Sequence, residues 1–315
     1  MSDFFPEGLA MSRPVFPKPG GRIGFSLVEL LVALAIMAIL TGLLVPGIQR
    51  AREAANRLQC CHHLRQLGVA LVNHESVFGA FPAPYGPDHG SSVGVHWPVR
   101  LLPFLEQEAL GKGFDTASPW NDPRNLKAST TRVAVFTCPS VRIPRGVANA
   151  APGGLEFGGL DYAPMRDIDP DLLATGLVGK PLLNQGALGQ PGNNAVPSRI
   201  LEFTDGASNT LILGEDAALP VSMIGGKPTG RDFSPAGWAG PYPETNLDGC
   251  HADGTLAGPI AMNGTNAWEF YSFHAGGGNF LMADGRIARL AGNVPIGIVA
   301  AMVTRAGGEP TSTPE

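Results

Sequence analysis

Charged side chains are scarce in this sequence. Only 16% of its 315 residues are Asp, Glu, Lys or Arg, against roughly 25% in ordinary soluble domains. The net charge of −5 gives no reason to expect a basic surface, so we expect no nucleic-acid partner. Hydrophobic residues make up 44% of the chain, which excludes a disordered protein. The length suits one large domain or two modest ones.

Motifs of enzymes and metal sites are also missing. Neither a P-loop nor an H-E-x-x-H pattern occurs, so we expect no enzymatic activity. The four cysteines have no C-x-x-C spacing and offer no zinc-ligand set, so the sequence predicts no metal site and no resident cofactor. They are Cys60, Cys61, Cys138 and Cys250.

Glycine and proline, in contrast, are abundant. The chain has 42 glycines and 29 prolines, nearly a quarter of its residues, against roughly 12% in average proteins. The glycines follow no period of three, which excludes collagen. The excess argues against an all-helical bundle and predicts a loop-rich fold.

A long apolar run lies near the N-terminus. Residues 25–48 contain one charged side chain, Glu29. About 20 apolar helical residues span the ~30 Å hydrocarbon core of a bilayer, and a soluble domain seldom has a helix that is apolar on every face. No A-x-A cleavage pattern follows the run. It therefore predicts a transmembrane helix rather than a core helix or a removed signal peptide.

The start of this run resembles the processing site of type IV prepilins and of type II secretion pseudopilins. Gly24-Phe25-Ser26-Leu27-Val28-Glu29 follows a polar, basic leader. The resemblance implies that a prepilin peptidase cuts between Gly24 and Phe25, that Phe25 is then N-methylated, and that residues 1–24 are removed. It also implies that Glu29 meets the N-terminal amine of a neighbouring subunit. A carboxylate inside hydrocarbon is a functional candidate on physical grounds as well; the alternative is a polar residue that reaches the interface.

The sequence alone gives little information on the position of the start codon or on the orientation of the span. A start at Met11 would shorten a leader that is otherwise long for such proteins. Positive residues flank the span on both sides: Arg13, Lys18 and Arg22 precede it, and Arg50, Arg52 and Arg57 follow it. The positive-inside rule therefore does not decide the orientation. The resemblance implies a single-pass protein of the cytoplasmic (inner) membrane, in contact with lipid and other pilin-like subunits, with its C-terminal part on the extracytoplasmic side.

The helix is predicted to continue beyond the membrane. Apolar or small residues recur every three or four positions from Ile48 through Leu58 and Cys61 to Leu71, which forms one stripe. We predict a single helix over residues 25–76, bent by Gly42 and Pro46 and ended by Gly79 and Pro82. Its second half would pack against a globular head.

The head is predicted to occupy residues 77–308, with a disordered tail over residues 309–315. The clearest strand-like runs are residues 133–137, 200–203, 210–213 and 279–283. Residues 101–110 predict a short helix, and residues 144–160 and 219–265 predict long surface loops. The fold class is α+β, with a loop-rich antiparallel sheet against the second half of the long helix.

Several short motifs of the head occur together in one known family. They are H-L-R-Q-L-G at 63–68, R-L-L-P-F-L-E-Q at 100–107, C-P-S at 138–140, D-Y at 161–162, T-D-G-A-S-N-T at 204–210, S-F-H at 272–274, A-D-G at 283–285 and T-R-A-G-G-E at 304–309. The chain resembles the prepilin-like family, abundant in planctomycetes, that carries the domain of unknown function 1559. The C-terminal signature of this family, a His followed by nine residues and Asp-Gly, matches His274, Asp284 and Gly285. The resemblance implies no biochemical activity.

The family resemblance also implies a disulfide bond. A cysteine before the H-L-R-Q stretch and the cysteine of C-P-S recur in the family, matching Cys60 and Cys138. Their bond would join the long helix to the sheet, and an extracytoplasmic location permits it. Two alternatives remain open. Cys61 could replace Cys60, because neighbouring helical residues face about 100° apart, or the two cysteines could be buried free thiols.

The signature residues lie around a predicted β-hairpin. Asp284-Gly285 between two alternating runs indicates a two-residue type I′ turn. Ten residues of straight strand separate His274 from Asp284 by about 33 Å. We therefore expect His274 to cap or pack at the strand entrance rather than to share a metal with Asp284.

Residues 204–210 predict a turn in which polar side chains bond to the backbone. The alternative is a calcium site with oxygen ligands from Asp205, Asn209 and Glu215.

The four tryptophans lie among Gly/Pro-rich stretches and predict loop anchors rather than a sugar-binding platform. They are Trp97, Trp120, Trp238 and Trp268.

These observations together predict a prepilin-like, membrane-anchored protein that is a structural subunit of a type IV pilus-like or type II secretion filament. The alternative is a membrane-tethered extracytoplasmic protein that binds a solute or carbohydrate through the Trp-bearing loops of residues 219–270.

Overall fold

The computed structural model describes residues 26–87, 93–141, 156–190, 192, 195–219, 221–232, 237–240 and 244–308. The chain divides into two compact units, residues 1–50 and residues 51–315. The predicted leader, which ends at Gly24, lies outside the described residues, as do Phe25, the predicted tail and most of the predicted loop at 144–160.

One long helix forms the N-terminal part of the described chain. Helix α1 (Leu27–Phe78) has 52 residues and continues through Pro46. It ends where Gly79 adopts a left-handed conformation with φ of +76° and donates its N–H to the Glu75 carbonyl at 2.7 Å. Glycine is favoured at this position because it has no Cβ to clash. The prediction of one continuous helix ended by Gly79 is confirmed, with an end two residues later than predicted.

The part of α1 in the first unit exposes its apolar side chains. None of its most apolar 18-residue window is buried, and the helix is long and apolar enough to cross a membrane. Leu43, for example, is 74% exposed. An apolar surface of this size requires lipid or other protein as its cover.

The part of α1 in the second unit has one buried face. Its buried residues include Cys60, Leu64, Leu67 and Leu71. The predicted stripe is therefore confirmed from Leu64 onwards.

The N-terminal part of the predicted stripe is wrong. Ile48 and Leu58 are 64% and 67% exposed. Cys60, rather than Cys61, faces the interior of the head. The periodicity alone could not show where along the helix the packing begins.

Short helices and strands make up the rest of the described chain. The helices are α2 (Trp97–Leu101), α3 (Glu108–Lys112), α4 (Leu126–Ser129), α5 (Pro170–Thr175) and α6 (Ile296–Val303). The strands are β1 (Tyr85–Pro87), β2 (Gly94–His96), β3 (Tyr162–Ala163), β4 (Met165–Ile168), β5 (Gly189–Gln190), β6 (Val196–Pro197), β7 (Leu211–Glu215), β8 (Val221–Ile224), β9 (Lys227–Asp232), β10 (Thr245–Leu247), β11 (Gly277–Met282) and β12 (Ile287–Ala291).

A four-stranded antiparallel sheet lies at the centre of the head. Its strand order is β12-β11-β7-β3, with Leu281 of β11 opposite Leu213 of β7. Tyr162 of β3 pairs with Glu215 at the end of β7. Three other antiparallel pairs and one parallel pair, β4 with β10, complete the described strands. The predicted α+β class with a loop-rich antiparallel sheet is confirmed.

Both faces of the central sheet are covered. Leu281 packs in one apolar cluster with Leu67 and other residues of α1. Its neighbours Phe280 and Met282 pack in a second cluster with Val299 of α6, because successive side chains of a strand point to opposite faces. The sequence analysis predicted the cover by α1, whereas α6 and the second core were missed.

Several predicted elements differ from the structure. The runs at 133–137 and 200–203 contain 3-10 turns, Ala134–Phe136 and Ile200–Glu202, rather than strands. Such short apolar runs satisfy the alternation of a strand equally well, and here the backbone bonds locally, as from the Thr137 N–H to the Ala134 carbonyl at 3.1 Å. The runs at 210–213 and 279–283 are confirmed as β7 and β11.

Two further predictions are corrected in detail. The predicted helix at 101–110 is divided among α2, a 3-10 turn (Leu102–Leu105) and α3. Glu106 lies between the 3-10 turn and α3 in a left-handed conformation with φ of +59°.

The predicted loop at 219–265 contains β8, β9 and β10. Gly225 and Gly226 form the turn between β8 and β9.

Gly68 permits the close approach of α1 to the sheet. A Cβ at this position would lie 2.9 Å from Cδ1 of Leu281, so any larger side chain requires movement. We expect Gly68→Val to lower the free energy of unfolding by about 1–3 kcal/mol, as overpacking of a core does. Urea denaturation of the full chain in detergent measures this effect.

The same contact predicts non-additivity. Leu281→Ala alone removes buried methyl groups and should cost about 2–5 kcal/mol. When Leu281→Ala is combined with Gly68→Val, the shortened side chain on β11 leaves room for the enlarged side chain on α1. The combined loss should then be smaller than the sum of the two. Additive losses would show that Gly68 does not set this distance.

Candidate functional site

The start of α1 carries the described residues of the predicted processing and assembly site. The hydroxyl oxygen of Ser26, just before the helix, accepts a hydrogen bond from the Val28 N–H at 3.3 Å. The Glu29 carboxylate accepts one from the Ser26 N–H at 2.9 Å. The contact from Glu29 back to Ser26 is that of a capping box, whereas the Ser26 hydroxyl caps the N–H of the residue before Glu29. Both contacts satisfy N–H groups that have no helical partner at the start of a helix. Glu29 thus has a local structural role that the sequence analysis missed, although S-x-x-E before an apolar run is a known sign of it.

A second group of polar side chains is buried in the head. The two Sγ atoms of Cys60 and Cys138 lie 2.7 Å apart, and Cys138 Sγ is 3.6 Å from Nε2 of His274. The same Nε2 is 3.3 Å from Oε1 of Glu215. Within the part of the chain that the structure describes, no other set of three or more His, Cys, Asp or Glu brings its ligand atoms together in this way. We refer to these four residues as the Cys–His–Glu cluster.

Four separate elements supply the cluster. Cys60 lies on α1, Cys138 follows the 3-10 turn Ala134–Phe136, Glu215 is the last residue of β7, and His274 shortly precedes β11. β7 and β11 are hydrogen-bonded neighbours of opposite direction, so the end of one lies beside the beginning of the other. The cluster therefore forms at one edge of the central sheet, under α1.

The backbone around Cys138 is held by two side chains. The buried Asp161 carboxylate accepts a hydrogen bond from the Cys138 N–H at 2.6 Å. The ring of His63 on α1 is 3.1 Å from the Thr137 carbonyl oxygen through Nδ1. Because a carbonyl only accepts, Nδ1 of His63 carries a proton. Burial lowers the pKa of His63, which is consistent with a neutral ring.

Glu215 is a buried carboxylate with several donors. Its Oε2 accepts hydrogen bonds from the Ser272 hydroxyl at 2.6 Å and from the Asn279 N–H at 3.1 Å. Its Oε1 accepts one from the Asn279 side-chain amide at 2.8 Å and faces His274. Hydrogen bonds of this kind offset the large cost of removing a carboxylate from water.

His274 lies between two carboxylates from distant parts of the chain. Its Nδ1 is 2.6 Å from Oε1 of Glu53 on α1, opposite the contact of Nε2 with Glu215. The Ser140 hydroxyl donates to Glu53 at 2.9 Å. Glu53, Ser140 and His274 thus connect α1, the C-P-S motif and the sheet.

The charge state of the cluster follows from these contacts. Burial alone would lower the pKa of His274. Its hydrogen bonds to Cys138 and to the two carboxylates outweigh this effect and raise that pKa to about 11. The hydrogen bond to Cys60, together with burial, raises the pKa of the Cys138 thiol well above its usual range. The structure at neutral pH therefore contains an imidazolium and a protonated Cys138 thiol.

The two cysteines of the predicted disulfide lie next to each other. Cys60 and Cys138 are in contact, but both are free thiols in the structure. This is the alternative that the sequence analysis left open, and the covalent bond stays a prediction. The choice of Cys60 over Cys61 is decided by the rotation of α1, which leaves Cys61 half-buried.

The two parts of the His-x9-Asp-Gly signature do not meet. His274 belongs to the cluster, which is more than the predicted packing role, whereas Asp284 and Gly285 lie in the turn between β11 and β12. That turn is not type I′. Gly285 has a φ of +85° but Asp284 does not have a positive φ, and the Gly285 N–H donates to the Met282 carbonyl at 2.9 Å. This is a three-residue loop, in which a type I turn ends in a left-handed glycine.

The predicted calcium ligands do not converge. Both carboxylate oxygens of Asp205 accept backbone N–H groups, from Gly307 at 2.6 Å and from Gly308 at 3.0 Å. The Asn209 side-chain amide donates to the Asp205 carbonyl at 2.9 Å, which is the predicted turn stabilisation. Glu215 lies in the Cys–His–Glu cluster instead. Residues 204–210 thus hold the T-R-A-G-G segment in place.

Two of the four tryptophans anchor the fold. Trp97 and Trp238 are fully buried, and the Trp238 indole N–H donates to the Thr131 carbonyl at 2.8 Å. A buried ring cannot stack on a sugar. These two residues therefore give no support to a carbohydrate-binding surface.

Comparison with known protein families identifies the head. A family model described as a protein of unknown function, DUF1559, matches residues 49–296, well over half of the chain. The chain belongs to the DUF1559 family. A second model, the prokaryotic N-terminal methylation motif, matches residues 21–45, so this DUF1559 protein carries a prepilin-type N-terminus. No curated protein and no solved structure matches the chain.

The two matches cover both candidate sites. The methylation motif includes Gly24, Phe25 and Glu29, and the DUF1559 match includes the whole Cys–His–Glu cluster. The resemblance inferred from the sequence is confirmed for both segments. A prepilin-type N-terminus implies processing by a prepilin peptidase, and together with the exposed apolar helix it indicates a membrane anchor.

Sequence reasoning missed several residues of the site and separated others. Cys60 and Cys138 were predicted as a disulfide, Glu215 as a calcium ligand and His274 as a signature residue, and the absence of ligand spacing suggested no metal-binding set. Glu53 gave no signal at all, since a glutamate on an amphipathic helix is ordinary. Ser140 lies in the recognised C-P-S motif, but its position in the sequence gives no indication of a contact with His274.

Two carboxylates that flank β10 are among the groups outside the cluster that have a buried oxygen without a hydrogen-bond partner in the described part of the chain. These oxygens are Oδ1 of Asp248, just after β10, and Oε2 of Glu244, just before it. Burial raises the pKa of each group to about 7, although the nearby Arg166 partly offsets this effect. Both groups are therefore protonated in the folded chain at a pH where they would ionise in the unfolded chain.

This difference predicts a stability that decreases as the pH rises. Between about pH 4 and pH 7 the folded state binds more protons at Asp248 and Glu244 than the unfolded state. The free energy of unfolding should then fall by up to about 1.4 kcal/mol per pH unit for each group. Urea denaturation of the full chain in detergent between about pH 4.5 and 6.5 measures the slope, below the window in which the raised pKa of His274 acts.

Asp248→Asn should make this slope shallower. Asp253→Asn is the matched control, because hydrogen bonds to Thr255 lower the pKa of the exposed Asp253 carboxylate, and the slope should stay unchanged. An Asp248→Asn slope equal to the wild-type slope would contradict the assignment.

Proposed function

We propose that the mature chain, cut after Gly24 and methylated at Phe25, is a membrane-anchored structural subunit of a type IV pilus-like or type II secretion filament. The observation that carries this proposal is the exposed apolar half of α1, which coincides with the matched methylation motif and continues beyond it. An exposed apolar helix fits lipid before assembly and the packed helices of neighbouring subunits afterwards. No catalytic activity is part of this proposal.

Glu29 supports assembly through its charge. A carboxylate is costly inside a bilayer or a helix bundle unless it meets a positive charge. Cleavage after Gly24 creates such a charge, the amine of Phe25. The capping contact with Ser26 uses the carboxylate as a hydrogen-bond acceptor only, and this contact leaves the charge of Glu29 uncompensated.

The proposed location follows from the same N-terminus. In this proposal the mature chain spans the cytoplasmic membrane once, with the DUF1559 head on the extracytoplasmic side. The partners are then membrane lipid, the peptidase, and other pilin or pseudopilin subunits that present a similar apolar helix.

Processing of the N-terminus can be tested directly. On co-expression with a prepilin peptidase, the mature chain should begin at Phe25 and carry one added methyl group, as measured by mass spectrometry of the membrane fraction. Gly24→Val should prevent cleavage, because the peptidase recognises the small residue that precedes the cut. Gly20→Val, a matched change within the leader, should be processed normally. A membrane-inserted chain that keeps its leader beside an active peptidase would contradict the proposal.

A substitution of Glu29 can separate its charge from its capping role. Glu29→Gln preserves a capping acceptor, because Gln also forms a capping box, but it removes the charge. We expect this variant to be inserted and processed and to be missing from sedimented filaments.

Ser26→Ala is the complementary control. It removes the capping hydroxyl, keeps the carboxylate, and should co-sediment with filaments as the wild type does. Normal incorporation of Glu29→Gln would exclude a charge-based assembly role. Loss of incorporation in Ser26→Ala alone would assign the effect to the cap.

A further inference from the structure

The Cys–His–Glu cluster combines the ligand types of a zinc site. The four ligand atoms all lie within 4.8 Å of one another, and all four residues are buried. We propose that Cys60, Cys138, His274 and Glu215 bind one Zn²⁺ ion, which joins α1 to the central sheet. Zinc is the divalent metal best suited to a mixed set of two sulfurs, one imidazole and one carboxylate.

Two of the distances between ligand atoms already match a tetrahedral site. Zinc bond lengths of about 2.3 Å to sulfur and 2.0–2.2 Å to nitrogen or oxygen place sulfur and nitrogen about 3.6 Å apart, and nitrogen and oxygen about 3.3 Å apart. The observed separations are 3.6 Å for Cys138 Sγ to His274 Nε2 and 3.3 Å for His274 Nε2 to Glu215 Oε1. The two sulfurs, 2.7 Å apart, would have to separate by about 1 Å to reach the tetrahedral spacing of about 3.8 Å. Rotation of the thiols about their Cα–Cβ bonds provides this movement.

The surroundings of the cluster resemble those of a structural metal site. Metal-binding histidines usually donate their second N–H to a carboxylate, which fixes the ring. Here Nδ1 of His274 is 2.6 Å from Glu53, which leaves Nε2 directed at Glu215 and Cys138. The second oxygen of Glu215 is held by Ser272 and Asn279. Each of these contacts orients a ligand.

A metal accounts for all four residues, whereas a disulfide accounts for two. A Cys60–Cys138 bond would leave Glu215 and His274 outside the covalent link, although Nε2 of His274 lies 3.6 Å from Cys138 Sγ. Zinc binding replaces the two thiol protons and the proton on Nε2, which are released to solvent. The two thiolates and the Glu215 carboxylate then balance the charge of the ion with one negative charge in excess.

The site is closed rather than catalytic. The exposed fractions of Cys60, Cys138, Glu215 and His274 are 0%, 5%, 1% and 3%. Catalytic zinc sites keep one coordination position for water or substrate, whereas structural sites use four protein ligands. The ion would therefore stabilise the packing of α1 on the sheet.

Metal binding by the full chain tests this proposal. The protein is purified in detergent, reduced, freed of metal with a chelator and titrated with Zn²⁺, or with Co²⁺ as a spectroscopic probe. We expect one zinc per chain by elemental mass spectrometry. With Co²⁺ we expect the absorption of a tetrahedral site with thiolate ligands. Zinc should also protect Cys60 and Cys138 from alkylation until a chelator is added.

Variants assign the ligands. Cys138→Ser and Glu215→Gln should weaken zinc binding at least about 10-fold. Glu53→Gln changes the group that holds Nδ1 of His274 but none of the four ligands, and should weaken zinc binding about 10–100-fold. Cys61→Ser and Cys250→Ser are matched controls outside the cluster and should bind as the wild type does.

The wild-type titration decides the matter even if a variant fails to fold. Reduced, folded wild-type chain that takes up neither Zn²⁺ nor Co²⁺ would overturn the proposal. A chain isolated from its own membrane with a Cys60–Cys138 disulfide and no zinc would overturn it as well. Equal loss of binding in Cys61→Ser and Cys138→Ser would show that the cluster is not the site.

Discussion

The head of this protein depends on the contact between α1 and the edge of the central sheet, at which His274 joins two carboxylates. Glu53 belongs to α1 and Glu215 to β7, and 221 residues separate Glu53 from His274 along the chain. Charged groups are costly to bury unless they are paired and hydrogen-bonded. Each of these groups therefore requires the others in place, and the contact fixes α1, the C-P-S loop and the start of β11 together.

The same helix serves two environments. In the first unit its apolar side chains are exposed, as a membrane or a bundle of neighbouring helices requires. In the second unit one face is buried, with Gly68 close to Leu281 and the cysteine and histidine side chains directed into the head. Both segments belong to α1, which runs from Leu27 to Phe78.

Features that depend on local composition could be predicted from the sequence. The apolar length of residues 25–48, the Gly-Phe processing string and the alternation in β7 and β11 are each contained within a few residues, so their physical meaning does not depend on distant parts of the chain. The runs at 133–137 and 200–203 show the limit of this reasoning. Their apolar residues are too few to distinguish a strand from a 3-10 turn, and the choice was made by packing against the core.

By itself, the sequence determined that this chain has a membrane-type helix with a prepilin-type N-terminus and a loop-rich α+β head. The tertiary structure alone decided that Cys60, Cys138, Glu215 and His274 share one buried site, because 78 residues separate the first two and 136 separate Cys138 from His274. No spacing rule covers such distances. Convergence of this kind follows from strand order and helix rotation, and these are properties of the folded chain as a whole.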